Sequence, residues 1–277
     1  LPRMDFPDGI PDEGKTVCVI SSLLTGKDSG IKLCERLERF YLSNRSCGDN
    51  LLFGILADLP EAKSAVTNDD PFVISAAAKA IEKLNRKYGQ HFYLFTRPRV
   101  EDRGRRVFSG RERKRGAVLA LARLICGEKS ELKVSAGDKS KLGGTAFILT
   151  LDSDTALLPD TAKELIGAML HPLNRAVIDT ENAVVTRGHG IIFPKICTEI
   201  KSVYATDFSR IFAGAGGCEP YAALCGELYM DLFSSGGFPG KGIIDARALI
   251  VCSEHIPDGI VLSHDALEGA YLRGGYM

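Results

Sequence analysis

No stretch of the 277-residue sequence approaches the roughly 20 apolar residues that a membrane-spanning helix requires. No secretory leader opens it. Net charge is missing as well: 35 lysines and arginines balance 35 aspartates and glutamates. Overall charge therefore gives no argument for a nucleic acid or a membrane surface as partner. Eight cysteines occur without one Cys-x-x-Cys pair, which excludes the usual zinc spacing. In a chain this long they do not read as a disulfide framework, so free thiols in a reducing cytosol are expected. The five histidines lack metal-ligand spacing, and neither a Gly-x-Ser-x-Gly turn nor a Cys–His nucleophile context occurs. There is no internal repeat and no low-complexity linker. Asn44-Arg45-Ser46 matches a glycosylation sequon, but nothing else points to secretion. The first residue is Leu1 and the last is Met277 without a polar tail, which sets the expectation of a piece excised from a longer protein.

What is present is ordinary for an α/β protein: 45% hydrophobic residues, 25% charged, and enough length to bury a sizeable core. Strand-like and helix-like patterns alternate, which favours a largely parallel sheet. Thr16–Ser21, Leu51–Ala57, His91–Phe95 and Thr145–Leu151 read as buried strands. Ile31, Leu33, Cys34, Leu37, Phe40 and Tyr41 recur at helical spacing. Pro71 and Gly89 bracket a helix over Phe72–Tyr88, and Gly127 ends another over Arg113–Cys126. Polar Gly127–Gly144 reads as a surface loop. Thr161-Ala-Lys-Glu164 has the pattern of a capping box for a helix reaching Leu170. Beyond Pro172 the runs shorten and glycines multiply, as if an acceptor side were built onto the same sheet. A single domain over 1–277 is expected, with a nucleotide-binding half (1–155) and an acceptor half (156–277).

Ligands of open α/β sheets bind beyond the carboxyl ends of the strands, and that is where the chemistry-bearing acids fall. Asp58 ends one apolar run; Asp152 and Asp154 end another and alternate onto the same side of an extended segment. One of that pair can hold Mg²⁺ or Mn²⁺ against a diphosphate while the other orients a ribose or shares the ion, since magnesium takes few protein carboxylates beside substrate phosphates. The alternative is a solvated loop. Arg97–Arg115 carries nine basic residues against three acidic ones, a local excess of six positive charges. Only Phe108 interrupts it, against the interleaved aromatics of a nucleic-acid surface. Most of it reads equally as a solvated loop, but Arg113-Lys114-Arg115-Gly116 at a helix start suits a pyrophosphate. Ser235–Gly242 fails the P-loop pattern at both ends, leaving a glycine-lined turn with Lys241. Asp265 lies in a first helical turn where Ser263 can cap, and an ionised carboxylate there can act as a general base.

The blocks Leu1-Pro-Arg-Met-Asp-Phe, Leu56-Ala-Asp58, Arg111-Glu-Arg-Lys-Arg-Gly116, Leu151-Asp-Ser-Asp-Thr155, His171-Pro-Leu-Asn174, Gly217-Cys-Glu-Pro-Tyr221, Gly240-Lys-Gly-Ile-Ile-Asp245 and Leu262-Ser-His-Asp-Ala-Leu-Glu-Gly269 together resemble the glycosyltransferase module of cyclic β-1,2-glucan synthases (glycosyltransferase family 84). The resemblance runs over nearly the whole chain. It implies a GT-A fold, a mixed and mainly parallel sheet flanked by helices. It also implies a metal-dependent, inverting transfer of glucose from UDP-glucose to a β-1,2-glucan acceptor. Carried over, it puts Asp58 on uridine, Asp152 on the nucleotide or the metal, and Asp154 on Mg²⁺ or Mn²⁺. Lys114 and Arg115 would face the diphosphate. Asp265 would be the base, with Gly240, Lys241 and Gly242 on the acceptor side. The implied partners are UDP-glucose, the glucan and the rest of a large membrane-embedded polypeptide whose transferase faces the cytoplasm at the bacterial inner membrane, with no nucleic acid. Ala117 stands where the resemblance expects lysine, and the Arg-Trp motif of processive synthases would fall beyond Met277, so the piece alone is expected to be inactive. Another processive β-glucan or polysaccharide synthase, and a non-catalytic carbohydrate-binding fragment, are the alternatives.

Overall fold

The computed structural model describes residues 1–102, 104–212, 228–257 and 265–277. The elements in chain order begin with β1 (Thr16–Leu23), α1 (Lys27–Ser43), β2 (Leu51–Asp58), α2 (Asp70–Tyr88) and β3 (Phe92–Thr96). A small hairpin, β4 (Val100–Asp102) and β5 (Val107–Ser109), leads into α3 (Arg113–Ile125), β6 (Lys133–Ala136), β7 (Phe147–Asp152) and α4 (Thr161–Leu170). A second hairpin, β8 (Val177–Asp179) and β9 (Val184–Arg187), precedes β10 (Ile191–Phe193) and the short helices α5 (Ile200–Val203), α6 (Asp207–Phe212) and α7 (Leu228–Phe233). The chain closes with β11 (Gly242–Asp245), α8 (Ala246–Ser253), α9 (Asp265–Tyr271) and β12 (Gly275–Tyr276).

Eight strands form one sheet in the order β12-β10-β11-β7-β1-β2-β3-β6. The central β7, β1, β2 and β3 run parallel. Strand β11 is antiparallel to both β7 and β10, and β6 is antiparallel to β3. Strands from both halves of the sequence thus share one mixed, mainly parallel sheet flanked by helices, the Rossmann-like arrangement of the GT-A architecture.

The central strands read as unbroken apolar runs because both faces are covered. Along β1, Cys18 and Ile20 join Leu37 of α1, Ile81 of α2 and Ile166 of α4 in one core. Val17 and Val19 turn the other way, to Leu121 of α3 and Leu249 of α8. Leu37 is fully buried, and truncating such a residue to alanine costs about 2–5 kcal/mol. Helices α1 and α2 meet where Gly30 faces Ala77: a Cβ at position 30 would lie 2.5 Å from the Ala77 Cβ. Helix α2 starts and stops as its sequence dictates, with Pro71 in the first turn and Gly89 beyond the end at φ +92°.

Two expectations are corrected. The segment Gly127–Gly144 is not simply a surface loop: it contains β6, with Leu132 and Leu142 buried. The Thr161–Glu164 capping box does not form, because Asp160, not Thr161, is the N-cap and its side chain makes no capping bond. Glu164 pairs with Arg3 instead. The stretch Arg97–Arg115 divides between its two readings: Arg97, Arg99 and Arg115 are buried, whereas Arg105, Arg106, Arg111 and Arg113 are exposed. The six described cysteines are all free thiols; Cys218 and Cys225 lie outside the described residues. Asn44 of the sequon is buried and donates to the Phe40 carbonyl and the Ser43 hydroxyl, so it offers no acceptor to a glycan. Among the described residues no helix is long and apolar enough to cross a membrane.

Candidate active-site cleft

Parallel pairing brings the acids together. In register, Leu23 at the end of β1 stands beside Asp58 of β2, and Ser21 beside Asp152 of β7. Two inter-strand steps of about 4.8 Å therefore separate the two aspartate-bearing strands across β1. At that end of the sheet opens a cleft of about 980 Å³. Asp58, Lys114, Asp152 and Asp154 line it together with Arg36 and Ser109. A volume of this size is at the upper end of small-molecule sites.

Asp58 is held rather than free. Arg97 donates to both of its oxygens, at 2.6 and 2.8 Å, from a side chain that is itself completely buried. The same guanidinium donates to the carbonyls of Arg111 and Arg113 at 2.7 and 2.5 Å, and to Glu131 at 3.3 Å. Burial alone would lower the Arg97 pKa, but Asp58 and Glu131 outweigh it and raise it. Those two carbonyls flank a strained turn: Glu112 and Arg113 both adopt left-handed backbone, at φ +51° and +49°. Arg97 thus fixes both the acid at the end of β2 and the turn that starts α3. Gly110 has to be small here, since a Cβ would lie 2.6 Å from the Asp58 carboxylate.

The next residue in α3, Lys114, points to the other acid. Its ammonium donates to Asp152 Oδ1 and to the Gly240 carbonyl, both at 2.5 Å. Lys241 sits 3.1 Å from Asp152 Oδ2. Burial pushes the Asp152 carboxyl up, but the bonds and charges of the two lysines overcome it and hold it below the ordinary range. Both oxygens of Asp152 therefore already carry ammonium groups. Asp152, expected to share the ion or face the nucleotide, is here the acid that gathers the two lysines.

Asp154 is different. It is exposed on the cleft, and its recorded hydrogen bond comes from Thr155 Oγ1 at 3.3 Å. Among the described residues no three acidic, imidazole or thiol side chains gather as a metal cage. A single accessible carboxylate nevertheless fits Mg²⁺ or Mn²⁺ that completes its shell with waters and substrate phosphates. Asp154 is the group that would hold it.

Asp265 opens α9 against Gly240: a Cβ at Gly240 would meet the Asp265 carboxylate at 2.6 Å. Gly240 has φ +76°, a conformation glycine takes without strain. The Gly240 carbonyl accepts from Lys114 of the cleft, so Asp265 lies beside a residue at the cleft's rim. The proposed cap Ser263 lies outside the described residues.

Two expected site residues are placed elsewhere. The Arg115 guanidinium turns away from the cleft lining to Glu112 at 2.6 Å and Glu268 at 3.5 Å, all three buried side chains. Gly242 is the first residue of β11, where a Cβ would meet the Ile192 carbonyl at 2.5 Å, so it serves the sheet rather than an open acceptor surface. Arg97, Arg36 and Glu268 went unnoticed as site residues in the sequence. Only the density of arginines after β3 could have signalled the first.

No family model matches the chain. Over 275 residues it is 32% identical to the cyclic beta-(1,2)-glucan synthase NdvB of Rhizobium meliloti (strain 1021), covering 97% of this chain and 10% of that protein. The chain is therefore homologous to a segment of that synthase and spans about a tenth of its length, and the resemblance carried by its sequence blocks is borne out.

Proposed function

We propose that this homologue of a segment of a cyclic β-(1,2)-glucan synthase is a sugar-transferring module, moving glucose with inversion from UDP-glucose to a growing β-1,2-glucan. The observation that carries the reading is the gathering of Asp58, Lys114, Asp152 and Asp154 on one cleft, with Asp265 beside Gly240 at its rim. In this reading the remainder of the polypeptide is embedded in the bacterial inner membrane and holds the module at the cytoplasmic face.

Asp58, oriented by Arg97, contacts the uridine. Lys114, held between Asp152 and the Gly240 carbonyl, faces the diphosphate, and Asp152 keeps that ammonium and Lys241 charged and aimed. Gly240 and Lys241 border the acceptor. Asp265 takes the proton of the acceptor 2-hydroxyl as its oxygen bonds to the anomeric carbon. The bond from that carbon to the diphosphate oxygen breaks on the opposite face, and its electron pair leaves with UDP. Asp154 would hold a Mg²⁺ or Mn²⁺, which would supply charge neutralisation for the diphosphate.

The test is Asp265→Asn in the full-length synthase. Turnover is expected to fall by about 10²–10⁴ while UDP binds as in the wild type. Unchanged turnover removes Asp265 from the chemistry. Linkage analysis of the product separates a β-1,2-glucan from the product of any other processive synthase.

A further inference from the structure

Helix α1 is absent from the chemistry above, yet one of its side chains crosses to the loop that follows β7. Arg36 donates through Nη1 to the Ser153 carbonyl and through Nη2 to the Thr155 carbonyl, the latter at 2.6 Å. These are the two residues flanking Asp154. The Arg36 side chain packs over the Phe40 ring at 6.0 Å, and its Nε is buried without a hydrogen-bond partner. The remaining local bonds are weaker constraints: Thr155 N donates to the Asp152 carbonyl at 3.1 Å, and the Thr155 hydroxyl reaches Asp154 at 3.3 Å.

We infer that Arg36 is a positioning residue, whose forked guanidinium fixes the backbone on both sides of Asp154 and so aims that carboxylate at the divalent cation accompanying a nucleotide diphosphate. The inference rests on the reading of Asp154 as the cation's ligand. Two carbonyls two residues apart, one on either side of a ligand, leave the intervening Cα little freedom. A planar fork with two parallel donors suits that task, whereas the single ammonium of lysine does not. Groups that orient a metal ligand without touching the metal typically change affinity by about 10–100-fold when removed.

The experiment compares the wild-type chain with Arg36→Met, Arg36→Lys and Asp154→Ala. Mn²⁺ binding is followed by the paramagnetic resonance of the free ion in the presence of UDP, and UDP binding is measured separately in EDTA. The expected result is loss of Mn²⁺ binding in Asp154→Ala and about tenfold or greater weakening in Arg36→Met. Arg36→Lys should fall between that variant and the wild type, and UDP affinity in EDTA should stay unchanged throughout. Wild-type Mn²⁺ affinity in both Arg36 variants overturns the inference and leaves the Asp154 reading standing. Equal loss of UDP affinity in EDTA also overturns it, because Arg36 would then be a phosphate contact. Undiminished Mn²⁺ binding in Asp154→Ala overturns the metal reading and the inference with it. Should Arg36→Met fail to fold, the Arg36→Lys comparison with the wild type decides alone.

Discussion

Arg97 donates to both oxygens of Asp58 across 39 residues of sequence, at 2.6 and 2.8 Å, inside a pocket that leaves the arginine side chain no solvent at all. Its remaining donors reach the turn that launches Lys114. One buried cation thereby ties the end of β2 to the start of α3.

Arg97 and Arg115 should accordingly part company. Arg97→Met leaves a half-buried carboxylate on the cleft wall without its partner and is expected to cost about 1–3 kcal/mol, with UDP affinity falling as well. Arg115→Met also strands buried acids and lowers stability, but it leaves UDP affinity as in the wild type. Denaturant unfolding and calorimetry with UDP on each variant check the contrast. A loss of UDP binding in Arg115→Met would return that residue to the diphosphate.

Glu268 should impose a pH dependence. Burial pushes its carboxyl up to about 7, against the pull of Arg115 and with a further push from Asp265, compared with an ordinary value of 4.5. Lys114 lowers it and Glu112 raises it more weakly. The folded chain therefore holds this proton more tightly than the unfolded chain. The stabilising contribution is complete below the ordinary value and disappears as pH rises through about 7. In Glu268→Gln that decline should vanish. Melting temperatures of both proteins across this window decide it, and parallel curves would sink the idea.

Gly240→Ala should separate transfer from donor binding. The new Cβ would lie 2.6 Å from the Asp265 carboxylate, on a backbone at φ +76° that alanine tolerates poorly. Displacing Asp265, the proposed base, by about 1 Å is expected to lower turnover by about 10²-fold, with UDP affinity nearly unchanged. Initial rates and UDP titration of the full-length variant measure both; an unaltered rate would detach Gly240 from the base.

Much of this was legible in the residues themselves. Leu51–Ala57 announced β2 because a strand covered on both faces has no polar alternation, and the first polar residue after it, Asp58, marked the cleft. The Asp152–Asp154 spacing told where β7 ends. The parts that escaped were set by distant partners. Arg99 looked like solvated charge because its acceptor, Asp70, lies 29 residues earlier. β6 is only four residues long and sits at the sheet's border, where half-polar residues suffice. Arg115 bonds Glu112 three residues before it, but the second acid it faces, Glu268, comes from the far end of the chain.

The antiparallel pairing of β11 with β7 bears on how the polypeptide can be cut. A product ending after Thr155 would present one flank of β7 as a raw edge, its amides and carbonyls bare on that side. Such an edge is a template for joining other chains. The cleft acids of the first half are thus shielded from aggregation by a strand made some ninety residues later, and dissecting the gene between the two strands should yield insoluble material rather than a smaller nucleotide binder.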